Sequence, residues 1–250
     1  MSFDTPEKAY GTSLSPLSAK ANAFIQSVLQ LNPRIAVFDC DGTLWSGDAG
    51  ADFFYWELER GLIPAEVERW IRSRYDDYMA GKVDEAAMCG EMVTIHSGLS
   101  IPQIEAAAET FVAEKVERNF FPEMMALTRA LADSGCELWA VSSTNEWVVR
   151  AGIRHFGIPD DHVLAACVYC EDSRATDRLQ RVPTDEAKAQ AIAEVIRRPV
   201  DAVFGNSMHD AAMLEVAQHA FAINPNPDLE RLAQERGWNV YWPENASTAH

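Results

Sequence analysis

The sequence predicts an α/β protein: a doubly wound, mostly parallel sheet with helices on both faces, and an α-helical cap inserted after the first strand. Three observations predict it. Short, wholly apolar runs recur at wide intervals, as strands covered on both faces require. Helical patterns fill the gaps between them. One long interval, 48–118, is helical almost throughout and interrupts the alternation. A chain of 250 residues can bury a core of this kind and still carry an inserted lobe.

In chain order, residues 1–16 are rich in Ser, Thr, Gly and Pro and read as a flexible arm. "LSAKANAFIQSVLQLN" has helical spacing and ends near Pro33. "IAVF" (35–38) is the first strand. Within the insertion, "PAEVERWIRSRYDDYM" and "IPQIEAAAETFVAEKVERN" are the clearest helices, and the small residues of "SGDAGAD" supply a hinge at its entrance. Outside it, 17–47 and 119–250 form the α/β core. There, helices are expected at 122–134, 145–156, 184–197, 209–218 and 227–236, with strands at "LWAV" (138–141), "AVF" (202–204) and "AFAI" (220–223). "VLAACVYCED" is strand-like as well.

Composition narrows the partners. A formal charge of -17 speaks against a nucleic-acid or anionic-membrane partner, both of which need clustered Lys and Arg. No apolar run has the length to cross a bilayer, and "MSFDTPEKAY" lacks the apolar stretch of a secretory signal. Five cysteines without an even framework fit a reducing, cytoplasmic setting. Cys167 and Cys170 make a lone CxxC in a strand, where residues three apart face opposite ways, so buried structural thiols are expected rather than a zinc or redox site. Oligomeric state leaves no trace in the sequence.

Ligands of such sheets bind beyond the carboxyl ends of the strands. Asp39 and Asp41 follow the first strand, Ser142, Ser143 and Thr144 follow "LWAV", and "GNSMHD" with Asn206 and Asp210 follows "AVF". Lys188 sits in a helix opening after Pro183. Two neighbouring carboxylates repel unless a cation neutralises them, and a hard divalent ion with oxygen ligands, Mg2+, suits them. The amine and hydroxyls would then cradle a tetrahedral anion, the set of parts that phosphoryl transfer needs. Asp39 would attack phosphorus, and Asp41 would protonate the departing alcohol and later activate water. Each piece also has a purely structural reading: a polar turn, a helix cap at Ser142–Thr144, a solvated Lys188, a helix-start Asp210. Separately, "FFYW" (53–56) places four aromatics in succession, which cannot share one buried stripe. Phe53 and Trp56 could offer a wall for an amine head group by cation–π attraction, or simply pack between helices.

The chain resembles the haloacid dehalogenase-like hydrolase superfamily: "FDCDGTLW" its first motif, the serine of "WAVSST" its second, Lys188 its third and "FGNSMHDAAML" its fourth. Retention of the second aspartate, Asp41, implies phosphate-ester hydrolysis, since an alkoxide leaving group must be protonated whereas a halide need not be. The cap position and "YMAGKVDEAAM" resemble the phosphoserine-phosphatase-like branch. The resemblance implies Asp39 as nucleophile and Asp41 as acid/base whose carbonyl also meets Mg2+. It further implies Ser142 and Lys188 at the phosphate, and Asp48 near a substrate amino group. Asn206 stands where that family carries Asp, with Asp210 available to compensate, and His209 stands where the branch often has Asn. The arginine that grips a phosphoserine carboxylate would fall near Gly90, and "CGEMVTIH" contains none. The expected function is therefore hydrolysis of a small phosphorylated metabolite, with phosphorylcholine and phosphoethanolamine among the candidates. A phosphotransferase or phosphomutase, or a degenerate phosphate-binding protein, are the alternatives.

Overall fold

The computed structural model describes residues 17–245; the arm expected at 1–16 lies outside the described residues. The chain runs through α1 (Ala19–Leu29), β1 (Ile35–Phe38), α2 (Ala49–Glu59), α3 (Ala65–Met79), α4 (Glu85–Thr94), α5 (Ile101–Phe111), α6 (Pro122–Asp133) and β2 (Glu137–Asn145). It continues through α7 (Glu146–Ile153), β3 (Val163–Glu171), β4 (Arg174–Arg181), α8 (Glu186–Val195), β5 (Val200–Gly205), α9 (Ala211–Glu215), β6 (Ala217–Ile223), α10 (Pro227–Arg236) and β7 (Asn239–Tyr241).

These strands form one sheet in the order β4-β3-β2-β1-β5-β6-β7, parallel except for the β3–β4 pair. Because side chains alternate along a strand, β1 feeds two cores. Ala36 and Phe38 pack with α1, α6 and α7 on one face, while Ile35 and Val37 pack with α8, α9 and α10 on the other. Phe38, Phe204 and Phe221 lie in register on β1, β5 and β6 and stack at 4.4 and 4.7 Å, which ties the centre of the sheet together.

Helices α2 to α5 fill the interval between β1 and α6. The outer pair, α3 and α4, closes over its own apolar cluster of Phe54, Leu58, Ile63, Ile71, Val83, Met88 and Ile95. The opposite side of α2 and the buried face of α5 join the main core through Phe53, Trp56 and Phe111.

Several features differ from the sequence reading. β4 was not anticipated, because "RATDRLQR" is an exposed edge strand with no apolar run. It turns back from β3 through Asp172 and Ser173, both with positive φ (48° and 60°), a two-residue turn that suits hairpin twist. The hairpin then grips the insertion by backbone bonds: Gly98 N–H to Ala175 O at 2.8 Å, Ala175 N–H to Leu99 O at 3.0 Å, and Ile101 N–H to Ser173 O at 2.9 Å. β7, only three residues long, also escaped notice. The helix expected over 209–218 is a 3-10 turn (Met208–Asp210) followed by the short α9, and β6 already begins at Ala217. Of the CxxC pair, Cys167 is buried but Cys170 is exposed, so only the first is a core thiol; all five cysteines are free. Among the described residues no helix is long and apolar enough to cross a membrane.

Candidate active site

β1 lies where the sheet order reverses, flanked by β2 and β5, and a crevice opens there beyond the strand ends. Asp39 is the first residue past β1, and its N–H donates to Phe204 O at 2.9 Å, so its backbone remains clamped to β5. The chain then turns sharply: Thr43 and Leu44 N–H groups both donate to Cys40 O. Gly42 makes the turn with φ 78°, and a Cβ there would lie 1.9 Å from Asn206 Nδ2. Glycine is thus required both for conformation and for contact between the two loops.

Both carboxylates are tightly held. Asp39, 5% exposed, accepts from Lys188 Nζ at 2.8 Å through Oδ1 and from Thr43 Oγ1 at 3.0 Å through Oδ2. Asp41 accepts from Trp45 Nε1 and from Ala49 N–H, each at 2.7 Å, through Oδ1. Its Oδ2 accepts from Thr144 Oγ1 at 2.7 Å. The Ala49 bond places this carboxylate at the N-terminus of α2, where the helix dipole favours negative charge.

Lys188 is no solvated lysine: it is 2% exposed. The chain enters α8 through Asp185, a non-glycine residue at φ 50°, a conformation that costs about 1–3 kcal/mol. From there Lys188 Nζ reaches Asp39 at 2.8 Å and Asp210 Oδ1 at 2.6 Å. Asp210 is fully buried, and its Oδ2 accepts from the N–H groups of Asn206 and Ser207 at 2.8 and 3.0 Å. Gly205 permits this, since a Cβ there would lie 2.6 Å from Asp210 Cβ. Expected as a metal ligand, Asp210 instead spends both oxygens on Lys188 and the 206–207 backbone and does not line the cavity. It ties Lys188 to the 206–207 loop.

One ammonium between two buried carboxylates leaves the cluster with excess negative charge. Burial, then Asp210, push the Asp39 carboxyl up to about 7 against the pull of Lys188. Burial also raises Asp41, opposed by its bonds from Ala49, Thr144 and Trp45. For Lys188, burial works against the charge, but Asp210 and Asp39 more than offset it and keep the amine protonated.

β2 continues past Val141 to Asn145, with an irregular register between Ser142 and Asn145. Ser142 is buried and its Oγ accepts from Thr144 N–H at 3.2 Å, while Ser143 is half-buried; both line the cavity. The cap of α7 is Asn145, whose Oδ1 accepts from Val148 N–H at 3.0 Å, so Ser142 and Ser143 are not occupied as caps.

The cavity measures about 230 Å³ and is lined by Asp39, Asp41, Asp48, Ser142, Ser143, Lys188, Asn206 and His209 among others. Asp48 caps α2, its Oδ1 accepting from Ala51 N–H at 2.9 Å. Exposed His209 hydrogen-bonds through Nδ1 to Asp185 Oδ1 at 2.8 Å. Phe53 and Trp56, expected at the substrate, are 1% and 5% exposed, lie with ring centroids 5.8 Å apart, and pack edge-on against Phe111. Neither lines the cavity. Its aromatic wall comes from Tyr75 and Tyr78 of α3, and α4 adds Glu85, Met88 and Cys89. Sequence reading missed these. The available signal was the spacing of Tyr75 and Tyr78, three residues apart on one face of a helix.

Asp39, Asp41 and Asn206 all border the cavity and offer a carboxylate, a backbone carbonyl and an amide oxygen. This all-oxygen donor set beside uncompensated negative charge suits a hard divalent cation such as Mg2+. Among the described residues no group of three His, Cys, Asp or Glu side chains converges as a metal site, so the carbonyl and the amide are needed to complete one.

The chain is 24% identical over 218 residues to a histidinol-phosphatase of Neisseria meningitidis serogroup C (strain 8013), an alignment covering 83% of this chain and 97% of the relative. Among solved structures it resembles a Bordetella pertussis Tohama I protein of unknown function (TM-score 0.72, 24% identity, 83% of this chain and 97% of that one). It also resembles a phosphoserine phosphatase captured as a phospho-aspartyl intermediate analogue (TM-score 0.54, 18% identity, 86% and 94% covered). The family model for haloacid dehalogenase-like hydrolases matches residues 36–215, and the chain belongs to that family.

Proposed function

We propose that the chain is a Mg2+-dependent phosphomonoesterase of a small phosphorylated metabolite, acting through an aspartyl-phosphate on Asp39. The observation that carries this reading is the buried Lys188 ammonium, 2.8 Å from a buried Asp39 carboxylate, at the floor of a cavity that also holds Ser142 and Ser143. A lysine so placed holds an anionic nucleophile in position and offers positive charge to a transferring phosphoryl group.

In this reading Asp39 Oδ attacks phosphorus and the bond from phosphorus to the ester oxygen breaks. The proton on Asp41 passes to that oxygen, so a neutral alcohol leaves. Water then attacks the aspartyl-phosphate, gives its proton to Asp41 and releases inorganic phosphate, restoring the Asp39 carboxylate. Thr144 holds Asp41 throughout, because its hydroxyl can donate to the carboxylate or accept from the acid. Ser142 and Ser143 offer donors to the phosphoryl oxygens. Asp39, the Asp41 carbonyl and the Asn206 amide would hold Mg2+, which supplies charge to neutralise the carboxylates and the phosphate. Residues 48–118 act as a cap that excludes water over the core of 17–47 and 119–250.

A phosphoserine carboxylate finds no arginine here. Gly90 occupies that part of α4, and a Cβ on it would meet Leu179 Cδ1 of the hairpin at 2.9 Å. Five free cysteines and the acidic surface suit a cytoplasmic enzyme without nucleic-acid or membrane partners. The test is phosphate release from p-nitrophenyl phosphate as Mg2+ is titrated and then removed with EDTA. Release that rises with Mg2+ and stops on chelation is expected; release indifferent to both contradicts the metal assignment.

A further inference from the structure

The wall of the cavity contributed by α3 and α4 carries a charge that the phosphoryl chemistry does not use. Glu85 stands in the first turn of α4, half-buried. Its Oε2 accepts from the Tyr78 hydroxyl and its Oε1 faces the Cys89 thiol at 3.7 Å. Two neutral donors thus fix a carboxylate on the lining. Asp48 lines the same space with only one oxygen engaged, by Ala51 N–H. Among the described residues neither Glu85 nor Asp48 has an ion-pair partner, and Lys188, the cavity's one lysine, is taken by Asp39 and Asp210. No arginine lines the cavity.

Two carboxylates on the lining without an ion-pair partner among the described residues make this wall negative. Burial, then Tyr55, Asp48 and Glu85 lift the Tyr75 hydroxyl to about 12, and burial with Glu85 and Asp48 pushes the Cys89 thiol well up. The rings of Tyr75 and Tyr78, with centroids 5.8 Å apart, add electron-rich faces to the same wall. A phosphate dianion bound below would meet two further uncompensated carboxylates above it. A leaving group with its own positive charge removes that conflict, whereas one with a carboxylate worsens it.

We propose that Glu85, with the faces of Tyr75 and Tyr78, is the specificity subsite for the leaving group and receives a protonated nitrogen, so that the substrate is the phosphate ester of a small ammonium- or imidazolium-bearing alcohol. This rests on the phosphomonoesterase reading and deepens it. It moves substrate selection from the buried Phe53 and Trp56 to residues that reach the cavity.

The test compares phosphate release from phosphoethanolamine, ethyl phosphate and phosphoglycolate, esters of similar size with cationic, neutral and anionic leaving groups. For the unmodified enzyme kcat/KM should favour the cationic ester over the neutral one by about tenfold or more, as one desolvated charge pair implies. Glu85→Gln should bring that ratio close to one, chiefly through KM. Glu85→Lys should invert the order in favour of phosphoglycolate, a gain that a merely misfolded variant cannot show. Phosphate release with no preference among the esters, or equal loss on all three in both variants, overturns the subsite while leaving the phosphatase reading intact. Release from none of them while p-nitrophenyl phosphate is still hydrolysed overturns the subsite alone, and release from neither overturns both.

Discussion

Lys188 shows what a residue gains from its neighbours. On sequence alone a lysine in a polar helix is a surface charge, yet here the amine lies in the interior because Asp39 and Asp210 meet it there. Thr144 is the parallel case for Asp41: one hydroxyl at 2.7 Å, supplied from β2 across the crevice. That bond favours the ionised carboxylate, so Thr144→Val should raise the Asp41 pKa further and shift the alkaline limb of the kcat/KM profile to higher pH. Loss of a hydrogen bond to a charged group, about 1.5–3 kcal/mol, also predicts a fall in kcat of about tenfold or more. A pH–rate series on the variant checks both. Asp39, Asp41 and Lys188 could be picked out of the sequence because each follows a strand end or opens a helix, and Ser142 because it follows an apolar run, although β2 extends past it to Asn145. The bonding of Asp210 could not, since only the folded loop reveals that both its oxygens are spent.

At the scale of elements, two glycines make opposite demands. Gly42 sits at φ 78° with Asn206 only 1.9 Å from its missing Cβ, and neither the turn nor the amide can retreat without moving a site residue. A Cβ on Gly90, inside α4, would press at 2.9 Å only on the tip of Leu179, a side chain 45% exposed, and would meet Val182 Cγ2 at an ordinary 3.5 Å. Gly42→Ala should therefore destabilise by about 1–3 kcal/mol and lose most of its activity. Gly90→Ala should hold its stability or gain up to about 1 kcal/mol from helix propensity. Urea unfolding of the two variants beside the parent decides this. The apolar strands and the helices were legible from periodicity, and α10 begins and ends where the pattern places it. The β3–β4 hairpin was half legible. β3 has an apolar start, whereas β4 is held by turn geometry and by backbone bonds to residues 98–101, which side-chain patterning does not report.

For the whole molecule, the acidic surface and the two-faced sheet are properties of composition and alternation, and both could be read directly. A buried ionisable pair could not. Glu57 on α2 and His96, just past α4, lie 2.7 Å apart with almost no solvent contact, where the main core meets the insertion. Burial raises Glu57 above its ordinary 4.5 despite His96. Burial lowers His96, but Glu57 more than compensates, and the histidine ends above its ordinary 6.5. Both groups hold protons more tightly folded than unfolded, so folding takes up protons. The stabilisation is complete at acidic pH and is lost as pH rises past 4.5 for Glu57 and past 6.5 for His96, through their folded values. The melting temperature should accordingly fall on the alkaline side of that window. Replacing both partners, Glu57→Gln with His96→Gln, should flatten this slope, which thermal melts across a pH series would show.

The proposed reaction requires a covalent bond between Asp39 and phosphorus. Acid-quenching the enzyme during turnover, reducing with borohydride and mapping peptides by mass spectrometry reads it directly. Phosphate is expected on the Asp39 peptide, converted by reduction to homoserine at that position, and absent from Asp39→Asn. Phosphate mapped to another residue, or full turnover by Asp39→Asn, would contradict it.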